Sequence, residues 1–250
     1  MRLALLSDIH ANIQAFDACL AHAREHGAQQ FALLGDLVGY GADPVAVVER
    51  VRHLADQGAL LVKGNHDALA VKPPAQVLTL GDRTAAWTHA QLDESQRRFL
   101  DRLPLTLQHE AILLTHASVD EPQLWRYVYD ERAAGASLDA AAELTGVRYV
   151  FCGHVHLQTL YHRGAGADLT KLIPTPGAAV PVPGHRRWLA TIGSAGQPRD
   201  RNPEAMYAQF DTDKLQLTFQ RVAYDHDAAA IAIRRAGLPV MFADRLELGR

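Results

Sequence analysis

A chain of 250 residues, 48% of them apolar, carries enough material for one large core, and its formal charge of −3 with a pI near 6.5 excludes the basic field that nonspecific nucleic-acid binding needs. No window approaches the ~18 uninterrupted apolar residues of a membrane span, and the N-terminal apolar run Leu3–Leu6 stops at Ser7-Asp8, too short for a signal peptide, so a cytoplasmic protein is expected. Two cysteines, Cys19 and Cys152, without C-x-x-C spacing, exclude a disulfide framework or thiolate zinc site and read as buried thiols.

In chain order, the runs Leu3–Ser7, Phe31–Leu34, Ala59–Val62, Ala111–Thr115 and Arg148–Cys152 are short and nearly all apolar, as strands covered on both faces are. Between the first three lie helical patterns. Ile13, Phe16 and Leu20 recur at helical spacing up to Gly27; Asp43-Pro44 reads as an N-cap followed by proline in the first turn, with Val47, Val48, Val51 and Leu54 as the buried stripe. The first third is therefore βαβαβ with parallel strands and right-handed crossovers.

Residues 73–103 predict a helical insert, with helices near Arg83–Leu92 and Glu94–Leu100 that can overhang a site, and residues 121–146 predict two short helices. From Lys171 onward, Pro- and Gly-rich turns separate the runs Trp188–Ile192, Met206–Phe210 and Leu215–Val222, which predict antiparallel strands of a second sheet. A last helix is expected over Ala228–Ala236. No repeat or linker divides residues 1–250, so a single domain is expected.

Each of the five early strands is followed by a short polar cluster. These are Asp8 and His10; Asp36; Asn65-His66-Asp67; His116; and His154 with His156. In open α/β sheets ligands bind beyond the carboxyl ends of the strands, so all five can meet in one crevice. If strand geometry persists, Asp8 and His10, two residues apart, point the same way and share an ion, and the same parity applies to His154 and His156. Carboxylate, imidazole and amide donors without thiolate suit Mn²⁺, Fe, Co²⁺, Ni²⁺ or Zn²⁺, with Mn²⁺ favoured. Two carboxylates against two divalent cations leave an excess of about +2, a pocket for hydroxide and phosphate; ions roughly 3.5–4 Å apart can hold the attacking hydroxide and stabilise displacement at phosphorus.

Asp8-Ile9-His10, Gly35-Asp36, Gly64-Asn65-His66-Asp67, His116 and Gly153-His154-Val155-His156 together resemble the five blocks of the calcineurin-like metallophosphoesterases. The resemblance covers roughly residues 3–160 and implies a four-layer αββα sandwich of two mixed sheets, a binuclear metal centre and phosphoester hydrolysis. Carried over, it implies one ion on Asp8, His10 and His156, another on Asn65, His116 and His154, and Asp36 bridging. His66 would serve near the leaving group as general acid or as a hydrogen-bond donor to the developing charge, with Asp67 orienting rather than ligating.

The chain departs from the family's G-D-x-V-D-R-G block at Gly39 and Tyr40, which stand where an orienting Asp and a phosphate-gripping Arg would be. Loss of a bidentate clamp weakens the hold on a dianionic monoester most, which tilts the reading toward a small or nucleotide-like phosphodiester. A phosphomonoesterase, protein phosphatase or dinucleoside polyphosphate hydrolase is the alternative within the family. A noncatalytic protein-binding scaffold with the same fold is the alternative of another functional class. Tyr40, Asn65 and Arg199 are the candidate substrate-binding residues; Arg199 belongs to Gly193-Ser194-Ala195-Gly196-Gln197-Pro198-Arg199, similar to a G-S-x-G-Q-P-R loop of small bacterial members, unless it only pairs with Asp200.

Overall fold

The computed structural model describes residues 1–163 and 169–250. The chain begins β1 (Arg2–Leu6), α1 (Ile13–Glu25), β2 (Gln30–Leu33), α2 (Pro44–Asp56) and β3 (Leu60–Leu61). β2 lies parallel to β1, and β3 parallel to β2, so the opening is the expected βαβαβ unit. Helix α1 buries Ala15, Phe16, Cys19, Leu20 and Ala23 along one stripe, and the Asn12 side chain caps it by accepting from the Ala15 amide at 3.1 Å. Asp43 occupies the capping position of α2 but makes no capping hydrogen bond; Pro44, which has no amide to satisfy, begins the helix without one.

Next come α3 (Asn65–Val71), α4 (Leu80–Gln91), α5 (Glu94–Arg102), β4 (Thr106–His109) and β5 (Ile112–Thr115). Helix α4 starts before the expected Arg83 because Thr79 and Asp82 cap it reciprocally, a capping box that polar composition hid. Of the two helices expected over 121–146, the first is only a 3₁₀ turn, Pro122–Leu124, closed by Trp125 in left-handed conformation; the second is α6 (Glu131–Ala142).

Then follow β6 (Tyr149–Cys152), β7 (Gln158–Arg163), β8 (Leu169–Leu172), β9 (Ala179–Pro181), β10 (Arg187–Ile192), β11 (Ala205–Asp211), β12 (Gln216–Val222), α7 (His226–Arg235) and α8 (Val240–Leu248). Helix α8 lies beyond the helix expected to be the last, and Pro239 stands at its N-cap, where proline is tolerated.

One sheet has the order β3-β2-β1-β11-β12-β9 and the other β4-β5-β6-β10-β7-β8. The expectation that the late strands form a separate antiparallel sheet is therefore corrected. β11 pairs antiparallel with β1, with Leu3 opposite Phe210, while β10 enters the other sheet parallel to β6. β11 is buried almost end to end, as an interior strand must be, and turn-rich flanks do not reveal that.

Alternation along the strands divides the core. Leu3, Leu5, Phe210 and Phe219 face Tyr149, Phe151, Trp188 and Ile192 between the sheets. The opposite faces, with Ala4, Leu6 and Tyr207 on one sheet and Leu113, Val150 and Leu189 on the other, are covered by α1 with α2 and by α6 respectively. The result is the four-layer αββα sandwich, two mixed six-stranded sheets between helices. Among the described residues no helix is long and apolar enough to cross a membrane.

Candidate metal centre

The loops that leave β1, β2, β3, β5 and β6 meet in one crevice, tied by backbone hydrogen bonds. The Asp8 amide donates to Gly35 O at 3.1 Å, His10 to Asp36 O at 2.9 Å, Gly153 to His116 O at 2.9 Å and Gly196 to Asp8 O at 2.9 Å. Asp8, His10, Asp36, His154 and His156 all have φ between 50 and 66°, the left-handed region that costs side-chain-bearing residues about 1 kcal/mol or more each. Such strain persists only where the surroundings dictate it.

The parity expectation fails for this reason, since both pairs lie past the strand ends. Asp8 and His10 still come together through the loop, whereas His154 and His156 separate into different groups.

Two groups result: Asp8, His10 and His156 in one, Asp36, His116 and His154 in the other, with the potential ligand atoms of each within 4.8 Å of one another. All six side chains are buried. Asp36 Oδ2 stands between the groups, 3.3 Å from His116 Nε2 and 3.8 Å from His10 Nε2. Asn65 Oδ1 lies 3.1 Å from His116 Nε2, beside the second group. Gly153 permits the approach of the two sheets here, because a Cβ on it would run into Ser7 Oγ and Asp8 Oδ2.

Three backbone carbonyls fix the rings. His156 Nδ1 donates to Gln197 O at 2.6 Å, His116 Nδ1 to Leu34 O at 2.7 Å, and His10 Nδ1 faces Val38 O at 3.3 Å. A carbonyl only accepts, so each Nδ1 carries hydrogen and each Nε2 turns to the crevice. His10 Nε2 and His156 Nε2 stand 3.2 Å apart. Burial drives the His10 ring well below its ordinary 6.5, so it offers a lone pair there, and a cation between the rings turns repulsion into attraction.

The second group is equally demanding. Burial raises the Asp36 carboxyl, but the charges of His116 and His66 and a hydrogen bond from His116 hold it well below the carboxylate range. Burial opposes protonation of His116, yet the Asp36 carboxylate pushes it up to about 9, while burial and His116 push His154 down to about 4. The carboxylates thus favour positive charge beside them. Asp8 Oδ1 and His154 Nε2 are buried without hydrogen-bond partners. Carboxylate, imidazole and amide donors, no thiolate and orphaned buried atoms fit divalent cations.

The remaining sequence candidates surround this centre. The His66 amide donates to Asp36 Oδ1 at 2.8 Å, and its ring meets His10 edge-on at 5.2 Å. Its Nδ1 is buried and unpartnered, and Gly39, at φ 92°, passes so close that a Cβ there would lie 2.9 Å from it. Asp67 is away from both groups: Oδ1 accepts from the Leu37 and Val38 amides and Oδ2 from Gly64, locking the β2–α2 loop to α3. Burial and the Asp36 charge push its carboxyl up to about 7. Tyr40 rests on Phe242, 4.7 Å from the His10 ring and 4.3 Å from His66.

Arg199 does not pair with Asp200, which binds Arg221 instead; its Nη2 donates to Gln197 Oε1 at 3.0 Å. The surrounding loop does more than present Arg199. Ser194 Oγ donates to Asp8 O at 2.8 Å, and Gln197 O holds His156. Sequence reasoning missed Tyr127, stacked on His154 at 3.9 Å, and Trp125, edge-on to His116 at 5.9 Å. The available signal was the alternation of aromatics in Trp125-Arg126-Tyr127-Val128-Tyr129.

Comparison with known proteins gives the family. The profile of the calcineurin-like phosphoesterase superfamily domain matches residues 1–215 and so spans all five clusters. The protein MJ0912 of Methanocaldococcus jannaschii is 30% identical over 254 residues, covering 99% of this chain and 98% of its own. Phosphodiesterase YfcE of Escherichia coli is 30% identical over 132 residues, which are 46% of this chain and 68% of its own. A metallophosphoesterase structure from Sphaerobacter thermophilus aligns with a TM-score of 0.87 and 33% identity, covering 100% of this chain and 99% of its own. With profile, relative and fold in agreement over most or all of its length, the chain belongs to the calcineurin-like phosphoesterase superfamily.

Proposed function

We propose that the protein is a binuclear metal-dependent phosphodiesterase acting on a small or nucleotide-like phosphodiester without a phosphoenzyme. The observation that carries this reading is the position of Asp36 Oδ2 between two compact donor groups. Asp8, His10 and His156 would hold one ion, His116, His154 and Asn65 the other, and Asp36 both, with Mn²⁺ the favoured metal. Two divalent ions supply Lewis acidity: charge for the phosphoryl oxygens and a lowered pKa for a coordinated water.

The chain's own residues do the rest. Backbone carbonyls of Val38, Leu34 and Gln197 keep three imidazoles aimed at the crevice. His66, close to both Asp36 and Tyr40, is placed to donate a proton or hydrogen bond to the departing oxygen. Burial holds the His66 ring below its ordinary value, against the charge of Asp36, so at neutral pH the ring is uncharged and offers an N–H hydrogen bond. Asp67 acts only by holding the loop that carries Asp36.

Diester preference follows from what stands next to the centre. Tyr40, a neutral ring, takes the place of a guanidinium, so a second negative charge on a terminal phosphate finds no bidentate partner there. The name of YfcE, a phosphodiesterase, supports the same choice. The test is hydrolysis by the purified Mn²⁺-loaded protein of bis-p-nitrophenyl phosphate against p-nitrophenyl phosphate. Faster diester turnover is expected; no turnover of either ester overturns the reading, and faster monoester turnover overturns the preference.

A further inference from the structure

Trp125, Tyr127 and Tyr129 alternate with two residues that point elsewhere. Arg126 pairs with Asp120 at 2.7 Å and Glu121 at 2.6 Å, and Val128 is buried under α6. Two of the aromatics meet the centre, Trp125 through His116 and Tyr127 through His154, and Tyr129 stacks behind Tyr127. They are not equivalent. Tyr127 is sandwiched between His154 at 3.9 Å and Tyr129 at 4.9 Å, so both of its faces are used.

Trp125 instead walls a cavity of about 690 Å³ that begins at Asn65. Helix α3 forms its floor with Ala68, Leu69 and Val71, and Lys72 and Asp101 complete its lining. Asn65 is the first residue of α3 and Lys72 follows its last, so the floor runs about 10 Å at 1.5 Å per residue. The cavity is thus continuous with the proposed metal centre at one end and carries both a hydrogen-bond donor and an acceptor toward the other.

We propose that this cavity is a nucleobase subsite: the base of a nucleotide ester stacks on Trp125 over the apolar floor, with its sugar passing Asn65 to the phosphoryl group. This rests on the phosphodiesterase reading and names the substrate class for it. An indole wall gives a flat aromatic ring more contact than it gives a flexible alkyl chain. Lys72 offers a charged donor, and Asp101, paired with Lys63 at 3.4 Å, keeps a second carboxylate oxygen as an acceptor; an alkyl group uses neither. A base, with ring nitrogens and exocyclic amino or carbonyl groups, can use both. Base–aromatic stacking is tolerant of base identity, so a broad nucleotide preference rather than a single base is expected.

The comparison that isolates the base is adenosine 5′-monophosphate against ribose 5-phosphate, which share phosphate and sugar. Calorimetry on the full Mn²⁺-loaded chain, and competition against bis-p-nitrophenyl phosphate hydrolysis, measure both ligands. The nucleotide is expected to bind about tenfold or more tighter. Trp125→Ala should collapse that ratio toward one and Trp125→Phe should keep most of it. Leu69→Arg, which fills the cavity from its floor, should collapse it as Trp125→Ala does and covers the case in which that variant fails to fold. Equal binding of the two ligands by the parent protein, or a ratio that survives both Trp125→Ala and Leu69→Arg, overturns the subsite. Failure to hydrolyse the diester would sink the phosphodiesterase reading alone, because the calorimetric ratio still decides whether a base is held.

Discussion

The buried centre and the rim above it are held in different ways. At the centre, five residues accept left-handed backbone and are pinned by loop-to-loop hydrogen bonds from both sheets. At the rim, Tyr127 and Tyr129 are about half exposed, at 45% and 54%, and come with Trp125 from one segment that makes no strand. Chemistry that depends on tenths of an ångström sits where the whole fold fixes it. On the proposed reading, selection among substrates falls to the rim, where Tyr127 and Trp125 lie against His154 and His116 without being ligands themselves.

If that division holds, changes at the centre lower rates on every ester alike, and changes at the rim alter the ranking of esters. Asp36→Ala should have the largest effect, a loss of turnover of at least about a thousandfold on every substrate, because both donor groups lose a shared carboxylate. Metal content measured on the same protein should fall as well; full metal occupancy with full turnover would remove Asp36 from the centre. His66→Ala should slow turnover by ~10²–10⁴-fold with metal content retained, which steady-state rates and metal analysis together can check.

Titration with Mn²⁺ should raise the thermal midpoint, with about 2.7 kcal/mol of added stability at a hundred times Kd, and Asp36→Ala should lose most of that gain. Gly39→Asp sharpens the comparison with the wider family. Rather than supplying an orienting carboxylate, it should cost ~1–3 kcal/mol in denaturant unfolding and lower the rate, because its Cβ would press on His66 from a backbone at φ 92°. Tyr127→Ala should have the smallest effect, less than about tenfold in kcat/KM and unequal between esters. An equal loss on all esters would place Tyr127 with the centre.

Much of the centre was legible because every ligand-type residue follows an apolar run that can only be a buried strand. Strands end at a sheet edge, so Asp8, Asp36, His116 and His154 had to emerge near one another once the sheets were stacked. The grouping was not legible from local geometry. Parity along a strand put His154 with His156, and left-handed turns separated them. The rim escaped because Trp125, Tyr127 and Tyr129 sit in a stretch whose composition suggested a helix, and their meaning depends on His116 and His154 lying beneath them.

The order of apolar runs and polar clusters in the sequence by itself determined the early parallel strands, the family and the donor types available for a metal, because burial periodicity and ligand chemistry are local properties. Tertiary structure alone decided that β11 slots beside β1 and that Trp125 walls a cavity opening beside Asn65. Each of these depends on contacts between residues far apart in the chain, whose energies no short window of sequence contains.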